Sequence, residues 1–364
     1  MKILHVIPSL EIGGAEKIVA NLCSGLATKN YDVSLLLFKD LSNKCFNVSD
    51  KVKIKLVHSK IPFKYNIYSL LKVFSYLKKE KFDVVHTHLT VNNTFVRLLA
   101  ILAGIPVIIG HEHGGFLKRN GIARILLCKI EKYISFNLFI SEHDREYFTK
   151  YDKNVVKNKN LVINNPLLIN VKPLNFKNNK VNVIGMVGRI IETKGHFFAL
   201  QAIVPFIREY RCKVIIVGDG DKNLRQELIS FAKTNNIDLV ITGYTKNVEE
   251  YYSKFDVLLQ PSFSEGFGLA IIEAMAFGVP VIASNVGGIP NIIEHQKNGL
   301  LFETGNKTEL LSRLYQINDD LKLKQNLSEN GYEHVINKYS FTKYIHSIEK
   351  LYINAFNKKN NNVE

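Results

Sequence analysis

Glu265 and Glu273 bracket the turn Gly266-Phe267-Gly268 at a Glu-x7-Glu spacing. Glycines let backbone amides come close to a ligand, and a carboxylate accepts from two neighbouring hydroxyls at once, so the set suits a ligand rich in vicinal hydroxyls. Upstream, Gly188-Arg189 closes an apolar run and Lys194-Gly195 opens the next helical segment. Two cations at such a start can make charge-assisted contacts to a diphosphate. Gly287-Gly288 follows another apolar run and forms a turn that a flat base or a phosphate can approach. The run Val217-Gly218-Asp219-Gly220-Asp221 has Asn223 where a dinucleotide fingerprint needs its third glycine. Its two aspartates read as a helix cap rather than a metal pair.

The first half carries different chemistry. Gly13-Gly14-Ala15-Glu16 ends one loop and opens a helix. His86 and His88 flank Thr87 at the end of one apolar run, and His111 and His113 flank Glu112 at the end of the next. Strand alternation places each pair on one face. Zinc is the obvious suspicion, but a third protein ligand is needed and nothing in the sequence fixes one, so no metal is expected.

These residues need elements to hold them. Short β-branched runs alternate with helical-period segments along the chain. Strands are predicted over Lys2–Ile7, Val33–Phe38, Lys53–Val57, Val84–Thr87, Val107–Gly110, Leu138–Ile140 and Leu161–Asn164, then over Val181–Val187, Lys213–Val217, Leu239–Thr242, Val257–Leu259 and Val281–Ala283. Helices are predicted over Ala15–Lys29, Ile67–Lys79, Ala123–Tyr133, Gly195–Tyr210, Asn223–Lys233, Val248–Ser253 and Leu269–Phe277, with only helix from about Thr308 to Phe356. Such alternation means parallel sheets covered on both faces. The fold class is α/β, two Rossmann-like doubly wound domains facing across a cleft, with ligands at the carboxyl ends of strands. Residues 1–165 form the first domain, 166–180 a Pro- and Asn-containing linker, and 181–339 the second domain. A helix over 340–356 is expected to cross back to the first domain, and 357–364 to be a disordered tail.

The chain has 364 residues and a net charge of +15. Residues 1–170 hold 25 Lys and Arg against 13 Asp and Glu, whereas residues 171–364 hold 23 against 20. The basic first half implies an anionic partner, and a membrane surface is the natural one. Gly115–Tyr133 reads as a basic amphipathic helix, and Lys60, Lys64, Lys72, Lys78, Lys79 and Lys81 are interleaved with Phe63, Tyr65, Tyr68 and Phe74. A nucleic-acid binder is the rival reading of +15, but no nucleic-acid motif is present. No apolar run is long enough to span a bilayer, Ile3–Pro8 is too short for a signal peptide, and the four cysteines make no zinc spacing. A cytoplasmic protein, peripheral at the inner face of the membrane, is expected.

Glu265-x7-Glu273, Gly188-Arg189 with Lys194-Gly195, and Gly287-Gly288, in this order, resemble glycosyltransferase family 4, retaining enzymes of GT-B architecture, especially those of bacterial surface-polysaccharide synthesis. The resemblance runs from Gly13 to about Gly299. It implies that Arg189 and Lys194 bind the donor pyrophosphate, that Glu273 holds the ribose, and that Glu265 contacts the donor sugar. Gly188, Gly266, Phe267, Gly268, Gly287 and Gly288 would complete the donor site, and Gly13, Gly14, Glu16, His88 and His111 would lie on the acceptor side. His113 matches the active-site histidine by position, with His111 the second candidate. The family often has Glu directly after Gly-Gly-x-Pro, where this chain has Asn291. The implied activity is transfer of a hexose or N-acetylhexosamine from a nucleoside-diphosphate sugar, UDP before GDP, to a glycan or lipid-linked acceptor. No cofactor or catalytic metal is implied. A GT-B sugar-nucleotide epimerase is the alternative enzyme.

Overall fold

The computed structural model describes residues 1–11, 13–57, 67–114, 129–151, 159–169, 176–177 and 179–361. They form two compact units: Met1–Pro166 with Phe341–Glu364, and Leu167–Ser340.

The first unit is built on a parallel sheet of β1 (Lys2–Ile7), β2 (Asp32–Leu37), β3 (Lys53–Leu56), β4 (Val84–His88), β5 (Val107–Glu112), β6 (Phe136–Phe139) and β7 (Asn160–Val162). Their spatial order is β3-β2-β1-β4-β5-β6-β7. The chain winds outward in both directions from β1 and β4, so the doubly wound switch point lies between these two strands. Around the sheet lie α1 (Gly14–Thr28), α2 (Ile67–Glu80), α3 (Thr90–Leu102) and α4 (Glu142–Tyr151). Leu4, Val6, Leu36, Val85, Ile108 and Phe139 of the strands pack with Val73 and Leu77 of α2 and Val96 and Ala100 of α3. Central strands buried on both faces read as near-continuous apolar runs, which is why they were visible in the sequence.

The second unit repeats the plan with β8 (Val183–Val187), β9 (Lys213–Val217), β10 (Leu239–Ile241), β11 (Val257–Gln260), β12 (Val281–Ser284) and β13 (Leu300–Phe302), ordered β10-β9-β8-β11-β12-β13. Its switch point lies between β8 and β11. Its helices are α5 (His196–Ala202), α6 (Val204–Tyr210), α7 (Lys222–Thr234), α8 (Glu249–Tyr252), α9 (Leu269–Ala276), α10 (Lys307–Asp319) and α11 (Leu321–Lys338). The last helix, α12 (Phe341–Asn360), belongs to the first unit. It packs on α1, where a side chain on Gly25 would overlap Ile345. Glu349 pairs with Lys29 and accepts from the Tyr31 hydroxyl at 2.8 Å.

Several expectations are corrected. The helix expected over Gly195–Tyr210 is two helices, because Pro205 has no N–H and sits in the first turn of the second. Helical order continues to Asn360, past the start of the expected tail, with Lys358 and Lys359 in the last turn, where cations oppose the helix dipole. Helices α3 and α4 and strand β13 were not anticipated. The start of α3, Thr-Val-Asn-Asn-Thr, has poor helix propensity, and β13 is only three residues long. The proposed basic helix lies mostly outside the described residues; within them, Lys129 and Ile130 are helical and Glu131–Tyr133 form a 3-10 turn. Lys60, Phe63, Lys64 and Tyr65 also lie outside them.

Candidate active site

In the second unit, three loops meet at the carboxyl ends of β8 and β11. Strand β8 runs into Gly188, whose φ of 151° is one that side-chain-bearing residues rarely adopt. Gly218 of the next loop lies so close that a Cβ there would overlap the Gly188 carbonyl. Arg189 is exposed and makes no ion pair among the described residues. A 3-10 turn, Glu192–Lys194, follows, closed by Gly195 at φ 68°. A side chain on Gly195 would strike the Pro261 carbonyl, so glycine is what lets this turn dock on the end of β11.

The docking places Lys194 Nζ 2.6 Å from Glu265 Oε2. The same oxygen accepts from Gln260 Nε2 at 3.2 Å and from Ser262 Oγ at 3.3 Å. Glu265 is therefore a fixed, partly buried carboxylate facing a cation. Glu273 stands in α9, 9% exposed, and accepts from the Tyr252 hydroxyl at 2.9 Å. Burial, and then the Glu273 charge, push the Tyr252 pKa well up, so the phenol stays a donor.

Gly287, Gly288 and Phe267 also have structural roles. Side chains at Gly287 and Gly288 would overlap the carbonyls of Glu265 and Gly266. Gly288 N donates to Glu265 O at 3.0 Å, so this turn supports the glutamate loop. Phe267 is buried against Tyr339, edge to face at 5.6 Å, which leaves only its backbone for a ligand. Gly268, at φ 113°, starts α9. Asp221 is a helix cap, accepting from Asn223 N and Leu224 N.

The first unit gathers five histidines around its own switch point and the end of β5. His5 pairs across the sheet with His86, and His88 with His111. His5 Nδ1 and His88 Nε2 share a hydrogen bond at 2.9 Å, and His88 Nδ1 and His113 Nε2 share another at 3.0 Å. His88 and His111 are fully buried, and His113 is half-buried. The first two were expected beside the acceptor. Both are covered instead: His111 lies inside β5, whereas His113, on the same face, lies just past its end, so of the two candidate active-site histidines only His113 has exposed surface. Burial lowers the His113 pKa to about 4, against the opposing charge of Glu112. At neutral pH it therefore hydrogen-bonds as a neutral ring.

Beneath this strand Arg97 Nη2 lies 3.3 Å from Glu112 Oε1, both nearly inaccessible, and Arg97 Nε donates to Thr87 Oγ1 at 3.0 Å. Gly110 is glycine because the Arg97 guanidinium occupies the space of its side chain. Gly13 extends into α1, and the Glu16 carboxylate folds back against it. The sequence reading missed His5, Arg97, Tyr252, Gln260, Ser262 and Tyr352. A polar residue inside or closing an apolar strand, as His5 and Gln260 are, was the available signal.

Comparisons with known proteins identify the family and the fold. Residues 12–167 match Glycosyltransferase Family 4, and residues 170–334 match Glycosyl transferases group 1. The chain is 26% identical to the UDP-Gal:alpha-D-GlcNAc-diphosphoundecaprenol alpha-1,3-galactosyltransferase of Escherichia coli, over 97% of each chain. It is 26% identical to a Campylobacter jejuni alpha-1,4-N-acetyl-D-galactosaminyltransferase whose named acceptor is a diphosphoundecaprenol-linked glycan, over 91% of this chain and 92% of that one. Its fold is similar to that of Anabaena HepE solved with UDP and glucose, with a TM-score of 0.81, 17% identity, and coverage of 96% of this chain and 98% of that one. The protein belongs to glycosyltransferase family 4, with the GT-B fold. It is a hexosyltransferase.

Proposed function

We propose that the protein transfers a hexose or N-acetylhexosamine from a nucleoside-diphosphate sugar, UDP before GDP, to a lipid-linked glycan, with retention at the anomeric carbon, in polysaccharide synthesis. The observation that carries this is the Lys194–Glu265 contact at 2.6 Å, between loops that close two neighbouring strands. A donor diphosphate would engage Arg189 and Lys194, and Glu265 would hold both Lys194 and the sugar hydroxyls. Glu273, fixed by Tyr252, would hold the ribose. Relatives that use UDP-galactose or act on diphosphoundecaprenol-linked glycans support this choice of donor and acceptor.

The donor C1–O bond breaks as the acceptor oxygen bonds to the same face of C1. The acceptor proton passes to the departing phosphate oxygen. Arg189 and Lys194 stabilise the charge that collects on the leaving diphosphate, so they do the work for which other transferases use a metal ion. His113 contacts the sugar as a neutral hydrogen-bonding ring.

Arg189→Ala tests the diphosphate assignment. Turnover should fall on the order of 10²–10³-fold, while thermal unfolding stays unchanged because Arg189 is exposed and makes no ion pair among the described residues. Wild-type turnover would remove the assignment. A thermal-shift screen of nucleoside diphosphates identifies the donor, since a ligand at 100 times its Kd adds about 2.7 kcal/mol.

An anionic membrane surface is the partner proposed for the first unit. Among the described residues, no helix is long and apolar enough to cross a membrane. Helix α2 exposes Ile67, Tyr68 and Leu71, with Lys72 lying 4.3 Å over the Tyr68 ring and Lys78 and Lys79 in its last turn. Apolar side chains flanked by lysines suit an anionic interface. Co-sedimentation with phosphatidylglycerol vesicles should fall in a Leu71→Ser/Lys72→Gln variant; unchanged binding would refute this face.

A further inference from the structure

The proposed transfer uses His113 but not the imidazoles behind it. His5 on β1 and His86 and His88 on β4 are all fully buried. One ring nitrogen from each lies within 4.8 Å of the others. The ring centroids of His5 are 5.1 Å from His86 and 5.2 Å from His88, and those of His86 and His88 are 4.2 Å apart.

The outward nitrogens have partners. His86 Nδ1 lies 2.6 Å from the Tyr352 hydroxyl, and His5 Nε2 lies 3.5 Å from that same oxygen. His88 Nδ1 is held by His113. The inward nitrogens remain. His86 Nε2 is buried without a hydrogen-bond partner, and His5 Nδ1 and His88 Nε2 meet each other. An unpartnered polar atom in a closed core is unfavourable and needs a physical reason. Two histidines at i and i+2 on one strand and a third on the adjacent strand match the His₃ sets that bind zinc. The other nitrogen of each ring is oriented by a second group, as ligating histidines require.

We infer that His5 Nδ1, His86 Nε2 and His88 Nε2 bind a borderline transition-metal ion of the Zn²⁺ class, with Tyr352 as the outer partner that fixes two of the three rings. Three neutral imidazoles favour Zn²⁺, Co²⁺, Ni²⁺ or Cu²⁺ over Mg²⁺ or Ca²⁺, which take oxygen ligands. The neighbouring cation Arg97 is already neutralised by Glu112. The ion would pin β1 to β4, and through Tyr352 it would pin α12 to both. The ion would be separate from the diphosphate loops and would touch no reacting atom; the site meets the proposed transfer machinery only at the His88–His113 hydrogen bond. A second triad, His88, His111 and His113, is also within 4.8 Å, but it would draw His113 away from substrate.

The test uses the full chain without a histidine tag, stripped with chelator and titrated with Co²⁺ while following visible absorption. After gel filtration, metal content is measured. The expected result is one Co²⁺ per chain, with ligand-field bands that Zn²⁺ displaces and a thermal midpoint raised by Zn²⁺. His86→Gln should abolish the bands, Tyr352→Phe should weaken Co²⁺ binding 10–100-fold, and His111→Gln should leave it intact. Wild-type protein that retains no stoichiometric metal overturns the inference without reference to any variant. So does loss of binding in His111→Gln with retention in His86→Gln. Failure of the donor assignments would leave this result unaffected, because metal content is read without turnover.

Discussion

The two units share a winding plan and differ in what occupies the switch point. Between β8 and β11 the chain places charges near the surface: exposed Arg189, and Lys194 against Glu265, with glycines making room for loops to dock on one another. Between β1 and β4 it places neutral rings in the interior, with one half-exposed member, His113, at the edge. The first arrangement suits a ligand that arrives carrying its own charge. The second suits a substrate needing an uncharged hydrogen-bonding group. One topology thus supplies both through the residues that close two pairs of strands.

Acid is the strongest way to separate the units. Burial lowers His5 to about 3 and His113 to about 4, and pushes His86, His88 and His111 well down. In the second unit His196 is the comparable group, lowered to about 4. Unfolded imidazoles titrate near 6.5, so the unfolded chain takes up protons first. Native stability is therefore complete above about pH 6.5 and falls as pH drops toward 4. Hydrogen exchange on chelator-treated protein should show β1, β4 and β5 losing protection at a higher pH than β8 and β11. Simultaneous loss would erase the contrast.

Arg97→Met comes next. It breaks the buried Arg97–Glu112 ion pair, a change that typically costs about 3–5 kcal/mol. Chemical denaturation should show the loss in the first unit, and nucleotide binding to the second unit should persist. Tyr252→Phe is the smaller change. Removing a hydrogen bond to a carboxylate costs about 1.5–3 kcal/mol, and here it should raise KM for the donor more than it lowers kcat.

The fold was legible because buried parallel strands announce themselves, as Val84–Thr87 and Lys213–Val217 do. The contact between Lys194 and Glu265 was legible because glycines accompany both. What stayed hidden depends on register. Nothing local in Lys2–Ile7 says that His5 lies opposite His86, and nothing in Tyr252 or Tyr352 says which ring or carboxylate its hydroxyl meets, because the partners are distant in sequence. The Gly287-Gly288 turn was legible, but its packing against the carbonyls of Glu265 and Gly266 was not.

The most direct test of the account is calorimetric titration, into wild type and Lys194→Met, of whichever nucleoside diphosphate most raises the melting temperature. Loss of one charge-assisted contact worth about 1.5–3 kcal/mol predicts binding about 10–100-fold weaker in the variant. An unchanged Kd, with the fold intact, would contradict it.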